Sequence, residues 1–599
     1  MPQTKKNKFK TLIWIACSIL AILLLLAAAG WYVNIKSKPF LTQQIKENVY
    51  KSTDSLYTIS FTNLTTNILT GNATLENVQI RADSNRYRQL VALKRAPNNL
   101  YNLRLKKMVV RHFHPITFYR FKKLRIDEIV FDKPQVVMIN KQFSFNDDRP
   151  PRPLKSPYTL IKNTLAEFSI GNLKFSNASF KYIDENAVKP ETFDVDQINI
   201  LLVDFLIDST SAEDPTRFYL LKDVKVNIHD YSYLTADKMY KIKLKELNFG
   251  AATGKLKIDR FSLEPLYSEM EFGKVAGYAK DRYDIEFSNV LLDKIDLPLF
   301  IKKRTIWAKT MAIQNGHVEV FNNNSLAHNN NNKRVGKFPQ QLLQKLEVPV
   351  LIQQINLKDI DIGYAEYDRN SNQKGVISFK STSGTFKNVT NLATIKAINP
   401  SMQVALTTYL MGQGKLFVHF NFDLNSDKGA FTYGGALKDV NARVLNQITK
   451  PLGLVRINRG NVDELSFKFK ADDAGADGIV NFKYYDLSLA LMENDPAKDH
   501  LVKRGLISFL ANALLINSEN PSADGKFTSA PVHYVRQEGS SFFNMLWRSL
   551  FVGVKHSIGI TEEKEKEVKI HIAKFKEMRA SHEARKERRI ERRRQRENR

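Results

Sequence analysis

One cysteine, Cys17, is present in 599 residues, so no internal disulfide can form. Such a chain is held by backbone pairing and apolar burial alone. Cys17 lies within an apolar run that continues well past it, which reads as an ordinary membrane-buried cysteine and not a lipidation site. Catalytic signatures are missing as well. There is no His-Glu-x-x-His, no P-loop and no Gly-x-Ser-x-Gly. His112 and His114 flank Phe113 in a strand-like run and read as surface residues rather than ligands. The stretch from Asp472 and Asp473 to Asp477 and Gly478 resembles a calcium loop only faintly, because it lacks the ligand spacing and the terminal Glu. It sits between alternating runs and reads as a hairpin turn. No catalytic residue, metal or cofactor is expected, which argues against a hydrolase. Long helical periodicity is nearly absent between Tyr57 and Leu491, apart from short pieces such as Gln340–Leu346.

One long hydrophobic run is present. Thr11–Val33 carries no charge and follows Lys5, Lys6, Lys8 and Lys10. About 20 apolar residues cross a bilayer core as a helix, and Trp14, Trp31 and Tyr32 lie near the two ends, where such rings favour the interface. The basic flank is expected to stay cytoplasmic and to send the body across the membrane. The alternative is a cleaved signal peptide ending near Ala27-Ala28-Ala29-Gly30, but signal peptides have an apolar region of only about 7–15 residues. The length of the run favours a retained single-pass anchor.

The net charge is +28. The N-terminal lysines supply +4 and Glu562–Arg599, with 15 Lys/Arg against 9 Asp/Glu, supplies +6, which leaves +18 spread over the body. Spread positive charge favours anionic surfaces such as phospholipid head groups or lipopolysaccharide phosphates. Nucleic acid, the usual partner of a basic chain, is in the wrong compartment for an exported body.

The body itself alternates. After a short amphipathic helix expected at Pro39–Val49, period-two runs bounded by Asn, Gly, Asp and Ser predict strands. Examples are Val224/Val226/Ile228, Ile242/Leu244 between Lys241, Lys243 and Lys245, Leu416/Val418/Phe420/Phe422/Leu424 and Leu465/Phe467/Phe469. A loose repeat also shows. Its copies are Ile126, Ile129, Phe131, Pro134, Val136, Met138 and Ile170, Leu173, Phe175, Ala178, Phe180, Tyr182. Two more are Met311, Ile313, Gly316, Val318, Val320 and Ile352, Ile355, Leu357, Ile360, Ile362, Tyr364. Each pair of copies lies 44 residues apart, and each copy reads as one strand, a short break and a second strand. Such periods suggest stacked supersecondary units.

Two stretches punctuate the body. Asp147–Pro157 holds four prolines and is expected to be a linker. Asn322–Asn332 reads as a polar loop. Leu501–Ile516 contains an apolar segment too short to span a bilayer. On a helix over Ser541–Ile560, Phe543, Leu546, Trp547, Leu550, Val554 and Ile558 share one face, a membrane-interface candidate whose alternative is a plug on the end of the β body. The Arg-rich tail beyond it is read as a solvated helix or disordered, with contact to an anionic surface as the other reading.

The residues KPFLTQQIKENV from Lys38 and LRIDEIVFDKPQVVMI from Leu124, after a basic-flanked helix, resemble the start of AsmA-like envelope proteins. Gly434–Leu491 resembles the family's C-terminal region, with its Pro-Leu pair, Gly-x-Val-x-x-Leu strand and Tyr-x-x-Leu strand, and the runs GLISFLAN and SFFNMLWRSLFVGVKHSIGI resemble how such chains end. The resemblance covers both ends well and the middle only in texture, and the Lys/Arg-rich tail beyond Ile560 departs from it. It implies a mostly β protein: an elongated, curled antiparallel β-sheet groove built from repeated hairpins, with an N-terminal transmembrane helix and C-terminal amphipathic helices. It also implies an inner-membrane anchor, a periplasmic body and a role in outer-membrane biogenesis through phospholipid transport. Groove-facing candidates are Leu416, Val418, Phe420, Phe422, Leu465, Phe467 and Phe469. The expected segments are 1–10 cytoplasmic, 11–33 anchor, 36–146 an N-terminal β region, 147–157 a linker and 158–321 a middle β region. They continue with 322–339 as a loop, 340–500 as a C-terminal β region, 501–560 as amphipathic helices and 561–599 as the tail. The rival expectation is a periplasmic scaffold whose sheet faces close on each other and which binds envelope proteins.

Overall fold

The computed structural model describes residues 38–560, except 68–69, 147–156, 187–190, 219, 328–334, 370, 496–499, 504–515 and 538–539, plus single positions beyond 560. The anchor expected at 11–33 and the short apolar segment within 501–516 therefore lie wholly or mostly outside the described residues, as does nearly all of the tail. Among the described residues no helix is long and apolar enough to cross a membrane.

The chain is mostly β and divides into two compact units. Unit 1 comprises Met1–Thr235, Ile242–Phe261 and Leu291–Pro298; unit 2 comprises Ala236–Lys241, Ser262–Val290 and Leu299–Arg599.

Unit 1 opens with α1 (Lys38–Ser52), as the sequence predicts, then β1 (Tyr57–Ser60), β2 (Asn63–Asn67) and β3 (Asn72–Ala82). Next come α2 (Ser84–Ala92), β4 (Asn99–Phe113), α3 (Pro115–Phe121), β5 (Lys123–Asp132) and β6 (Gln135–Asn140). It continues with α4 (Pro157–Ile161), β7 (Glu167–Asp184), β8 (Glu191–Ile207) and β9 (Asp223–Leu234). Asp83 caps α2 by accepting from the Asn85 and Arg86 amides at 2.8 and 2.9 Å. β10 (Tyr240–Gly250), β11 (Lys255–Pro265) and β12 (Arg282–Asp293) follow and are divided between the units, β10 and β11 mostly in unit 1 and β12 mostly in unit 2.

Unit 2 contains β13 (Ile306–Asn323), α5 (Pro339–Gln344), β14 (Val350–Asp368), β15 (Gln373–Thr390), β16 (Ser401–Leu410) and β17 (Gly414–Asp423). Beyond them lie β18 (Phe431–Asn441), β19 (Val455–Ala471), β20 (Gly475–Asp495), β21 (His500–Lys503), β22 (Ser529–Val535) and α6 (Phe542–Ser557). Among its described residues the stretch 501–560 holds one long helix and also strand β22, whose alternating SAPVHYV pairs with Gly475–Asn481 of β20.

The antiparallel expectation needs a correction, because the sheet is mixed. β5 and β6 both pair parallel to β7, and β13 pairs parallel to β14. These are the repeat copies themselves, aligned at their 44-residue offset: Ile126 opposite Ile170, Met138 opposite Tyr182, Ile313 opposite Leu357 and Val318 opposite Ile362. The repeats are not hairpins. Three of the four copies are a single long strand, and in β7 and β14 the break between the two halves is a β-bulge. At that position Asn177, Asn315 and Asp359 adopt left-handed backbone with φ of 50°, 57° and 55°, a region short polar residues tolerate best. A bulge leaves one residue unpaired and bends the strand. Only the first copy splits, into β5 and β6, where Pro134 removes an amide donor.

Parallel neighbours need a crossover of a dozen or more residues. The 26 residues from 141 to 166 join β6 to β7, and the 26 from 324 to 349 join β13 to β14. The Pro-rich run falls inside the first crossover and most of the Asn-rich run inside the second. Asn322 and Asn323 are instead the buried last residues of β13.

Candidate functional site: an apolar sheet face

In each unit, pairing register lines apolar side chains into rows that cross the strands on one face. One row in unit 1 runs Leu75, Met108, Phe131, Phe175, Ile200, Val226 over β3, β4, β5, β7, β8 and β9. The next runs Ala73, Val110, Ile129, Leu173, Leu202, Val224. Burial falls along them. Leu75, Met108 and Phe131 are buried in one core with Ile45 and Val49 of α1, Leu90 of α2, and Ile161 and Leu165. Phe175 is half-buried against that core, whereas Ile200 and Val226 are half-buried outside it. The apolar face therefore extends past its helical cover. The opposite face is more polar: the Asn177 amide donates to Asn199 Oδ1 at 3.0 Å, and the Asn227 side chain donates to Asn248 Oδ1 at 2.8 Å.

Unit 2 repeats the design. A nine-strand row runs Met311, Ile355, Phe386, Val404, Phe420, Tyr433, Phe469, Gly478, Val532 from β13 to β22. Tyr433, Phe469 and Val532 are buried, whereas Met311 and Ile355 are half-buried outside any core cluster. Here the cover is α6. Its Ser541 cap accepts from the Asn544 amide at 3.2 Å, and its sheet-facing stripe is Met545, Ser549, Gly553 and Ser557. Small residues let the helix sit close; a Cβ on Gly553 would run into Val480. Ser549 Oγ and Tyr433 Oη share a 2.6 Å hydrogen bond. Burial pushes the Tyr433 phenol well above its ordinary range, so it stays neutral.

All seven groove candidates share this face. Phe420 and Phe469 lie in the row above, Val418 and Phe467 in the neighbouring one, Leu416 and Leu465 flank Leu437, and Phe422 faces Phe431. Phe422, Leu465 and Phe469 are core residues, and Phe542 of α6 lies 6.1 Å from Phe420 and 6.2 Å from Phe422, ring to ring. Protein already covers that part of the face. The half-exposed parts are Ile200, Leu202, Val224 and Val226 in unit 1, and Met311, Ile355 and Leu357 in unit 2. Their alternation was visible in sequence, but which strands a helix covers is not a property of alternation.

The interface candidates on α6 lie beside the sheet-facing stripe, and Leu546, Leu550 and Val554 pack against the unit 2 core. Phe543 is 40 % exposed, and Leu546, Trp547, Leu550 and Val554 are half-buried. Arg548 stacks over Trp547 at 5.2 Å and Lys555 over Phe551 at 5.7 Å.

A buried ion pair locks the N-terminal end of α6. Arg536 donates to Asp473 Oδ1 at 2.7 Å and to the Ser540 carbonyl at 2.8 Å, and lies over the Phe338 ring at 4.4 Å. Gln341 of α5 donates to the other Asp473 oxygen at 2.7 Å. The acidic 472–478 stretch is thus the turn 472–474 between β19 and β20 and the first residues of β20, with Asp473 serving as a clasp. His114 Nε2 lies 2.8 Å and His112 Nδ1 3.5 Å from the Asp127 carboxylate, all three exposed. Among the described residues no group of three or more metal-ligating side chains is placed to hold an ion.

No protein-family model matches the chain, and no curated protein matches it.

Proposed function

We propose that this chain is a non-enzymatic, membrane-anchored protein of the AsmA-like kind, which supports outer-envelope assembly by carrying phospholipid acyl chains along an apolar sheet face. The observation that carries this reading is the run of apolar rows past their helical cover in both units. Half-exposed Ile, Leu and Val gain about 0.8 kcal/mol per buried methylene when an acyl chain replaces water. The mid-strand bulges of β7 and β14 support a curled groove over a flat sheet. In this reading Thr11–Val33 spans the inner membrane, the body lies in the periplasm, and the basic tail meets anionic lipid or lipopolysaccharide.

Residues 36–560, purified without the anchor, test it by native mass spectrometry with lipid extraction. Co-purified phospholipid at several molecules per chain is the expected result. A folded body that carries none, and takes up none from vesicles, overturns the lipid reading in favour of a protein-binding scaffold.

A further inference from the structure

α3 is a seven-residue helix between β4 and β5 whose apolar residues face mostly outward. Phe118 ties it to the body, edge-on to Phe113 at 6.2 Å. Ile116 is 69 % exposed, Tyr119 68 % and Phe121 61 %. Arg120 and Lys122 beside them are exposed too. Leaving three large apolar groups in water is unfavourable, and amphipathic rings mixed with basic residues suit the head-group layer of a bilayer.

Connectivity places a bilayer nearby. α3 sits at the end of unit 1 where the Phe113 amide donates to the Gly71 carbonyl at 2.8 Å. The register of β1 and β2 on β3 runs from Ala82 to Asn72, so both strands advance toward that end. Only Thr53–Leu56 separate α1 from β1, and Ile45 and Val49 of α1 are buried in the unit 1 core, so the helix lies back over the same unit that carries α3. The uncharged run Thr11–Val33 stops five residues before Lys38, a leash of roughly 15–18 Å when extended.

We infer that α3 is a docking element for the anionic phospholipid surface of the same membrane that holds the Thr11–Val33 anchor. Ile116, Tyr119 and Phe121 enter the head-group layer, and Arg120 and Lys122 meet lipid phosphates. The proposal rests on the anchor reading above. Docking stands the adjoining ends of β4 and β5 on the bilayer, so the apolar face of unit 1 begins where acyl chains are available.

The full-length chain tests this in vesicles of zwitterionic lipid, with and without about one-third anionic phospholipid. An environment-sensitive fluorophore is attached to Ile116→Cys in a Cys17→Ser background; the control position is Ile398→Cys, 84 % exposed in unit 2. The expected result is loss of fluorescence to spin-labelled lipid at position 116 and none at 398. The loss is larger with anionic lipid, and Arg120→Glu with Lys122→Glu reduces the docked fraction on the order of ten-fold. Carbonate extraction separates the two readings. A chain released by carbonate overturns the anchor and this proposal with it. A retained chain whose probe at 116 is unquenched overturns the docking proposal alone. A probe that turns blue without lipid quenching also overturns it, in favour of a protein occupant.

Discussion

Phe131 and Phe175 stack with ring centroids 4.8 Å apart and planes within 9°, although 44 residues separate them in the chain. They are equivalent positions of two repeat copies held in parallel register. Phe131 is buried at the heart of unit 1. Phe131→Ala is expected to destabilise unit 1 by about 3–5 kcal/mol through lost burial and a residual cavity. Urea denaturation followed by a probe in each unit checks it, with the unit 2 transition unmoved.

The residues at the mid-strand breaks carry a conformational cost that side-chain choice controls. Asn315 and Asp359, 44 residues apart, both have positive φ. Asn315→Gly is expected to leave stability within about 0.5 kcal/mol, and Asn315→Val to lower it by roughly 1–2 kcal/mol, because a branched side chain resists left-handed backbone. Thermal melts of the two variants decide it. Equal melting temperatures would mean that the left-handed backbone is not the reason for Asn there.

Arg536 is nearly inaccessible and holds Asp473, whose side chain is 12 % exposed. Arg536→Ala leaves that carboxylate without its charge partner and is expected to cost unit 2 about 3–5 kcal/mol. Arg536→Met combined with Asp473→Asn removes both charges and should recover much of the loss. A dye that reports exposed apolar surface should bind the single variant more than the double.

Glu167 links stability to acid. Hydrogen bonds from Arg125, 2.7 Å to Oε1, and from Lys123, 3.1 Å to Oε2, hold its carboxyl below the usual value of 4.5. A folded-state pKa below the unfolded one adds stability that is complete above the unfolded value and is lost as pH falls through the folded one. Unit 1 should therefore weaken as pH drops below about 4.5, and Glu167→Gln should reduce that slope while lowering stability near neutral pH. Urea midpoints against pH for the two proteins measure the difference.

Alternation alone was enough to read the body as mostly β, because a half-buried strand writes its two faces into odd and even positions. Leu416 to Phe422 and Val224 to Ile228 both read correctly as one-sided. The repeat was legible for the same reason, and its 44-residue spacing matches the register at which the copies pair. Their orientation was not legible. An apolar strand has the same pattern beside a parallel or an antiparallel neighbour, and only the crossovers through 141–166 and 324–349 decide between them. Nor did the pattern separate a bulge from a chain break, since Asn177 and Pro134 interrupt alternation alike and only hydrogen bonding tells them apart. Cover is the last thing alternation leaves open. Phe422 and Ile200 carry equally apolar strand signals, yet one lies beneath Phe542 and the other outside the core. What the amino acids settle locally is which side of each strand avoids water; which strands receive a helix is decided by contacts between distant segments, because burial is a property of the assembled surface.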